Sequence, residues 1–481
     1  MQQQKKPTIS LWGALIPVII LVILLSFNVT IYGDDALGGS NQFILLIGAA
    51  VAAVVGFRNK VSYDSMLDAI GSNLKSTTGA ILILLFVGAL AGTWLLSGII
   101  PAMIYYGLQI LHPSIFLPAC IIICAIISIA TGSSWTTSAT VGIALIGIGR
   151  ALDIPVGMVA GAVISGAYFG DKLSPLSDTT NLAPAMAGSD LFTHIKYMTH
   201  TTVPSIIITM IVFLILGFFQ NTSGAADTDI LLTSIKGSFT INLWLFVVPI
   251  LVIFLIIKKT PPLAALLAGT LLGGLFALIF QPDIVAKIAG ANILSPTTAY
   301  QGVMNAIISD ISITTSNDLL NELFSSGGMK GMLGTIWLII CAMVFGGIMD
   351  AIGGLKKISN SMLSIAQSTF QLFASTAASC VVINLTASDQ YLSIVLPGKM
   401  FNKAFADKDL APENLSRTLE DAGTVTSVLI PWNTCGAYQS GVLGVGVGEY
   451  FIYAIFNWLS PIMTLIYGYF GIKIRKLSAV K

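Results

Sequence analysis

The chain has 481 residues, of which 55% are hydrophobic and only 9% charged, with a mean hydropathy of +0.88 and a net charge of +1. A soluble domain carries about 25% charged residues, so this composition describes an integral protein of a lipid bilayer. The balanced charge offers no electrostatic basis for binding nucleic acid or an acidic partner.

In chain order, Lys5 and Lys6 precede an apolar run over 11–30 that lacks a small-residue cleavage site, which predicts a retained helix rather than a removed leader. Further runs near the roughly 20 residues needed to cross a bilayer occupy 40–57, 78–99, 203–220, 241–257, 261–280, 331–352 and 450–471. Apolar stretches interrupted by Ser, Thr, Gly or Pro fill 100–148, 154–170, 370–396 and 424–447. Together they predict an all-α polytopic inner-membrane transporter with about 10–12 transmembrane elements, some of them broken helices or re-entrant hairpins. Residues 62–78 read as a short amphipathic interfacial piece and 281–330 as a polar loop. The five cysteines, Cys120, Cys124, Cys341, Cys380 and Cys435, lie in apolar segments without metal-like pairing.

Positive charge marks the cytoplasmic side. Lys5 and Lys6 place the amino terminus there, Asp34 and Asp35 follow the first helix outside, and Arg58 and Lys60 mark the return. Asp227 and Asp229 indicate an outer loop, Lys258 and Lys259 an inner one, and Lys356 and Lys357 another. Lys473, Arg475 and Lys476 bring the carboxyl terminus inside, while Lys287 is the residue that fits this topology least.

The run Ala80–Ser138 lies on Thr335–Ser393 without a gap, a shift of 255 residues (Ala80 onto Thr335). Gly92 then meets Gly347, Gly98 meets Gly353, Thr131 meets Thr386 and Ser133 meets Ser388; Pro155 falls near Pro412 and Pro175 near Pro431. Charge has 78–99 rising and 331–352 falling, which predicts two inverted repeats, 1–240 and 241–481, forming one membrane domain. Inverted repeats with interrupted helices point to a secondary transporter whose site lies at the repeat interface.

The densest polar run, Asp171, Lys172, Ser174, Ser177, Asp178, Thr179, Thr180 and Asn181, sits where the chain otherwise reads as membrane. Polar backbone at that depth needs protein or a water-filled cavity around it, and Pro175 breaks the helix there. Three more interruptions join it: Thr131, Ser133 and Ser134; Asn384, Thr386, Ser388 and Asp389; and Asn433 with Thr434. Hydroxyls, amides, carboxylates and freed carbonyls suit a hard cation such as Na+ and disfavour a soft metal. Asp171, Asp178, Asp389, Glu420 and Asp421 are candidates for carrying a proton, with Asp178 alternating between proton and Na+ the sharpest form of that idea. Helical spacing sets Arg417 beside Glu420 and Asp421, either as a structural ion pair or in coupling or anion binding. Trp135 and Trp432 either pack or line the apolar part of an organic acid. An interfacial loop with solvated charges is the bland alternative, and an ion channel the remote one. The three histidines, His112, His194 and His200, with no GxSG elbow and no Walker A motif, argue against an enzyme or an ATP-driven pump.

The run Gly170-Asp171-Lys172-Leu173-Ser174-Pro175-Leu176-Ser177-Asp178-Thr179-Thr180, with Thr131-Gly132-Ser133-Ser134-Trp135, Glu420-Asp421 and Pro431-Trp432-Asn433, resembles the NhaC family of bacterial Na+/H+ antiporters in the ion-transporter superfamily, from about residue 10 to 470. The resemblance implies a cytoplasmic-membrane carrier that exchanges internal Na+ for external H+, with no cofactor beyond the ions moved. Some members are malate/lactate antiporters, and Asn181-Leu182-Ala183-Pro184-Ala185-Met186-Ala187-Gly188 is similar to that branch. It further implies a scaffold and a mobile transport part with paired hairpins, often as a homodimer. On the resemblance, Ser133, Ser177, Asp178 and Thr179 are Na+ ligands and Thr386 and Asp389 their partners. The second half has Trp432-Asn433-Thr434-Cys435 in place of Ser-Asp-Thr-Thr, so two equivalent sites are not implied.

Overall fold

The computed structural model describes residues 9–479 except 33–35, 37, 111, 220–227 and 316. Lys5, Lys6, Asp34, Asp35 and Asp227, on which part of the topology rests, lie outside the described residues. The chain is a helical membrane protein. Among the described residues, eight helices are long and apolar enough to cross a bilayer: Leu11–Tyr32, Ser40–Arg58, Tyr63–Leu96, Pro113–Thr131, Leu191–Phe219, Pro262–Phe280, Gly328–Ala351 and Thr369–Thr386. The pair Asp229–Ser238 and Leu243–Ile257, bent by 86°, makes a ninth. The remaining elements of the expected ten to twelve are shorter helices that meet in pairs at breaks.

Three expectations change. Residues 62–78 are not a separate interfacial piece, because Ser62 caps a single 34-residue helix, Tyr63–Leu96, by accepting from Ser65 N at 3.2 Å. No proline interrupts it, so the backbone ladder runs on and the helix, about 51 Å long, extends beyond its apolar part. The stretch 450–471 splits into Val447–Tyr450 and Ile455–Phe470. The polar loop 281–330 is structured: Pro282–Ile288 and Pro296–Ile308 each start on a proline, where the missing amide hydrogen costs nothing. Asp318–Leu323 follows, and Ile311–Ser312 pairs antiparallel with Ser325–Ser326.

The two halves repeat one helix order, and the backbone fixes its register. Gly98 (φ 82°) and Gly353 (φ 74°) fill equivalent turns at the expected shift of 255. From the next break onward the shift is 256 (Gly132 onto Ser388). Gly132 (φ 70°) and Ser388 (φ 59°) take the same left-handed turn, as do Asp153 (φ 57°) with Asp409 (φ 56°) and Gly188 (φ 79°) with Gly444 (φ 63°). Ser177 and Asn433 cap equivalent helices, Asp178–Ala187 and Thr434–Leu443. The gapless alignment therefore slips by one residue, and Ser133 corresponds to Asp389 rather than Ser388; each accepts from the backbone amide three residues on, Thr136 N at 3.1 Å and Leu392 N at 2.9 Å.

Close approach of backbones sets the scaffold. A Cβ on Gly92 would stand 1.8 Å from Ala306 O, where helix Tyr63–Leu96 crosses Pro296–Ile308. Gly92→Ala is expected to lower stability by about 1–3 kcal/mol, read as a lower midpoint of thermal unfolding in detergent. Gly79→Ala, with nothing within 4 Å of the added methyl, is expected to leave the midpoint unchanged or raise it, by up to about 1 kcal/mol.

Candidate ion-binding site

Helix Val156–Leu173 ends because Pro175 holds Ser174 in an extended conformation (φ −85°, ψ 127°). It resumes at Asp178 under the cap of Ser177, which accepts from Thr180 N at 3.3 Å. The break is stitched by side chains, as freed carbonyls at a helix end require. Thr180 Oγ1 donates to the carbonyls of Asp171 (3.1 Å) and Lys172 (3.2 Å), and Asn181 Nδ2 to those of Pro175 (2.9 Å) and Ser177 (2.7 Å). This break meets the one at Gly132: Ser174 Oγ donates to Ile129 O at 2.8 Å, and a Cβ on Gly132 would lie 2.6 Å from Leu176. Asp171 accepts from Ser134 N (3.1 Å) and Oγ (2.7 Å), so its carboxylate faces the amino end of the helical segment that Ser134 opens.

The two breaks of the second half meet likewise, but close on themselves. Asn384 Nδ2 donates to Gly423 O (2.6 Å), and Asn433 Nδ2 to Asn384 O (3.1 Å) and Oδ1 (3.2 Å). Thr434 N donates to Ser388 O (3.0 Å) and Trp432 Nε1 to Leu385 O (2.8 Å). Thr386 Oγ1 turns back to Val382 O at 2.7 Å.

Between the halves lies a buried charged core. Lys172 pairs with Asp421, both fully buried, and Thr201 (2.9 Å) and Thr464 hydroxyls donate to the other Asp421 oxygen. Lys172 Nζ also lies 5.5 Å from the Phe456 ring. Glu420 Oε1 accepts from Thr179 Oγ1 at 3.0 Å, while Oε2 is buried without a partner. Trp135 stacks on Tyr438 at 4.0 Å, and Tyr438 OH donates to Trp135 O at 3.1 Å. The expected pairing of Arg417 with Glu420 and Asp421 does not form. Glu420–Thr424 is a π-helical turn, which carries the carboxylates off the α-helical face. The buried Arg417 guanidinium instead lies 4.7 Å from the ring of Tyr197, 5.7 Å from Tyr467 and 6.0 Å from Phe373.

A cavity of about 610 Å³ opens beside this core, lined by Thr131, Ser133, Trp135, Asp171, Ser177, Asp178 and Thr179 on one wall and by Ser76, Ile83 and Lys259 on the facing one. Four of the six expected Na+ ligands are thus brought together. Asp178 is exposed to the cavity rather than enclosed by hydroxyls, because Ser177 and Thr179 take the inward face of the turn. Thr386 and Asp389 are not on the wall; both are buried and hydrogen-bonded within their own segments. Ser174 and Thr180 lie behind the wall as stitching, and Asn384, Ser388, Asn433 and Thr434 are buried in the second half. Trp432 lines a separate apolar pocket of about 360 Å³ with Trp458 and Phe451. The sequence reading missed Thr201, Thr464 and Tyr438, single polar groups in apolar helices whose partners lie 220, 43 and 303 residues away.

Paired broken helices around a polar cavity, with buried charges joining two repeated halves, define a secondary membrane transporter. Residues 166–472 match the family model described as the Na+/H+ antiporter family. The chain belongs to that family. It is 37% identical over 98% of its length to "Na(+)/H(+) antiporter NhaC" of Alkalihalophilus pseudofirmus, covering 98% of that protein. It is 38% identical over 94% of its length to "Malate-2H(+)/Na(+)-lactate antiporter" of Bacillus subtilis, covering 93% of it. "Arginine/ornithine antiporter ArcD" of Halobacterium salinarum matches at 35% over 98% of this chain and 93% of that one.

Removing one member of a buried pair strands the other charge. Lys172→Met is expected to cost about 3–5 kcal/mol, whereas Lys172→Met combined with Asp421→Leu regains most of that loss. Thermal unfolding midpoints of the two proteins in detergent compare them, and equal destabilisation would show that the pair does not join the halves.

Proposed function

We propose that this chain is a Na+/H+ antiporter of the cytoplasmic membrane that exports Na+ in exchange for external H+, with both termini on the cytoplasmic side. The observation that carries the reading is the adjacency of two kinds of carboxyl. Asp171 and Asp178 line the cavity, and Glu420 sits buried behind Thr179 with one oxygen unpartnered. A buried carboxyl without its own counter-ion persists as the neutral acid or beside a bound cation. Lys172 is engaged by Asp421, so Glu420 is neutralised by H+ or by a cation next to Thr179. Na+ held by Ser133, Ser177, Asp178, Thr179 and Asp171 therefore competes with the proton on Glu420, and that competition is exchange. Asp178, facing the cavity, receives the incoming ion, while burial favours Glu420 as the proton carrier. The chemistry needs no cofactor.

A second reading, malate/lactate exchange coupled to the same ions, is favoured by the size of the cavity, far larger than one Na+, and by Lys259 and Trp135 on its walls. Lys259 suits a carboxylate and Trp135 an apolar carbon.

Purified protein in proteoliposomes with an internal pH dye tests both readings. A Na+ gradient alone is expected to drive proton movement; movement only with malate outside and lactate inside establishes the second reading, and movement in neither case overturns both. Glu420→Gln is expected to cut Na+-driven proton movement by at least about 100-fold. Asp178→Asn is expected chiefly to raise the Na+ concentration giving half-maximal rate, and an unchanged Na+ dependence in that folded variant would remove Asp178 from the site.

A further inference from the structure

Glu420 has a second polar neighbourhood, on the side away from the cavity. The π-helical turn Glu420–Thr424 packs against helix Ile455–Phe470, whose residues Asn457, Ser460 and Thr464 share one face at spacings of three and four. Both ends of that face are pinned: Thr464 Oγ1 donates to Asp421 and Asn457 Nδ2 to Val425 O at 2.9 Å. Ser460 therefore lies between them, against the π turn. Along this contact Ser460 Oγ and Asn457 Oδ1 are buried and without a hydrogen-bond partner, and Glu420 Oε2 and Thr424 Oγ1 face each other with no other partner. The four side chains are at most 1% exposed, and none lines the 610 Å³ cavity.

One orphaned buried group costs about 1–3 kcal/mol, and the polar atoms along this single helix contact are of the kind and number that a buried water molecule takes as its two to four partners. The segment's form points the same way, since π turns recur at functional positions. The charged groups that face Glu420 are Asp171 and Lys172, and Lys172 is paired with Asp421. On the neighbouring helix Val156–Leu173, Ser165 and Tyr168 hydroxyls are likewise buried and unpartnered.

We propose that this seam is a proton route to Glu420, separate from the cavity that admits Na+. Water and the hydroxyls of Ser460 and Thr424 relay the proton, each oxygen accepting one O–H and passing on another. The transfer ends as carboxylate Oε2 becomes the neutral acid. Ser460 and Thr424 are relay groups and do not touch Na+. The inference rests on the antiport reading above and adds a route that reading does not require.

The test compares two fluxes of the full-length protein in proteoliposomes: proton movement driven by a Na+ gradient, and isotopic Na+/Na+ exchange at equal concentrations. Ser460→Ala is expected to slow proton movement at least about tenfold while Na+/Na+ exchange stays within about twofold. Ser460→Thr, which keeps the hydroxyl, is expected to retain proton movement, and Thr424→Val to reproduce the loss. Proton movement unchanged in Ser460→Ala, or both fluxes falling together, would make Ser460 a packing residue and overturn the proposal. Wild-type protein that exchanges Na+ without moving protons would instead sink the antiport reading.

Discussion

A hydrocarbon interior leaves no polar group without a partner at low cost, and the centre of this molecule is organised by that constraint. Lys172 and Asp421, the one from the first broken helix and the other from the π turn of the second half, are fully buried together. Each alone would be unaffordable at that depth. Their pairing ties helix Val156–Leu173 to the π turn, and Thr201 and Thr464 complete the shell of Asp421. Lys172 also faces Glu420, whose Oε1 is held by Thr179.

Around that pair the repeat conserves the stitching and varies the tips. Ser128 donates to Ala167 O at 2.6 Å, and 256 residues on, Asn384 donates to Gly423 O at 2.6 Å. The carbonyls of Ile129 and Leu385, again equivalent, are covered by Ser174 and Trp432. The larger second-half side chains fill the space that is open in the first. Asn433 reaches Asn384 where Ser177 leaves room, and Trp432 covers what Leu176 exposes. One tip is therefore a knot of amides beside an apolar pocket and the other the wall of a polar cavity, so a repeat of two equivalent breaks yields one polar opening.

Much of this was legible in the chain. Pro175 and the hydroxyl clusters announced the breaks, and Ser133, Asp389, Ser177 and Asn433 are all residue types that cap helices. The repeat emerged from glycine and proline spacing, though a one-residue slip hid behind residues of similar size until Gly132 and Ser388 revealed their shared left-handed turn. Arg417 was misjudged because spacing of three and four presumes an α-helix, and the chain becomes π-helical at Glu420. Nothing local announces that change. The helix from Tyr63 was cut short because its polar first turns lie beyond the apolar stretch, and hydropathy measures the membrane rather than the helix.

The same contacts say where the molecule has freedom. Lys172 with Asp421, Thr179 with Glu420 and Trp135 on Tyr438 bind the broken helices of both halves into one body. Breaking a buried ion pair is strongly destabilising, so these contacts hold the broken helices together. The facing wall of the cavity is different: among the described residues no ion pair joins Ser76, Ile83 and Lys259 to the wall of Asp171 and Asp178. The cavity therefore separates a body tied together by buried polar contacts from helix Tyr63–Leu96, whose Ser76 and Ile83 line its facing side.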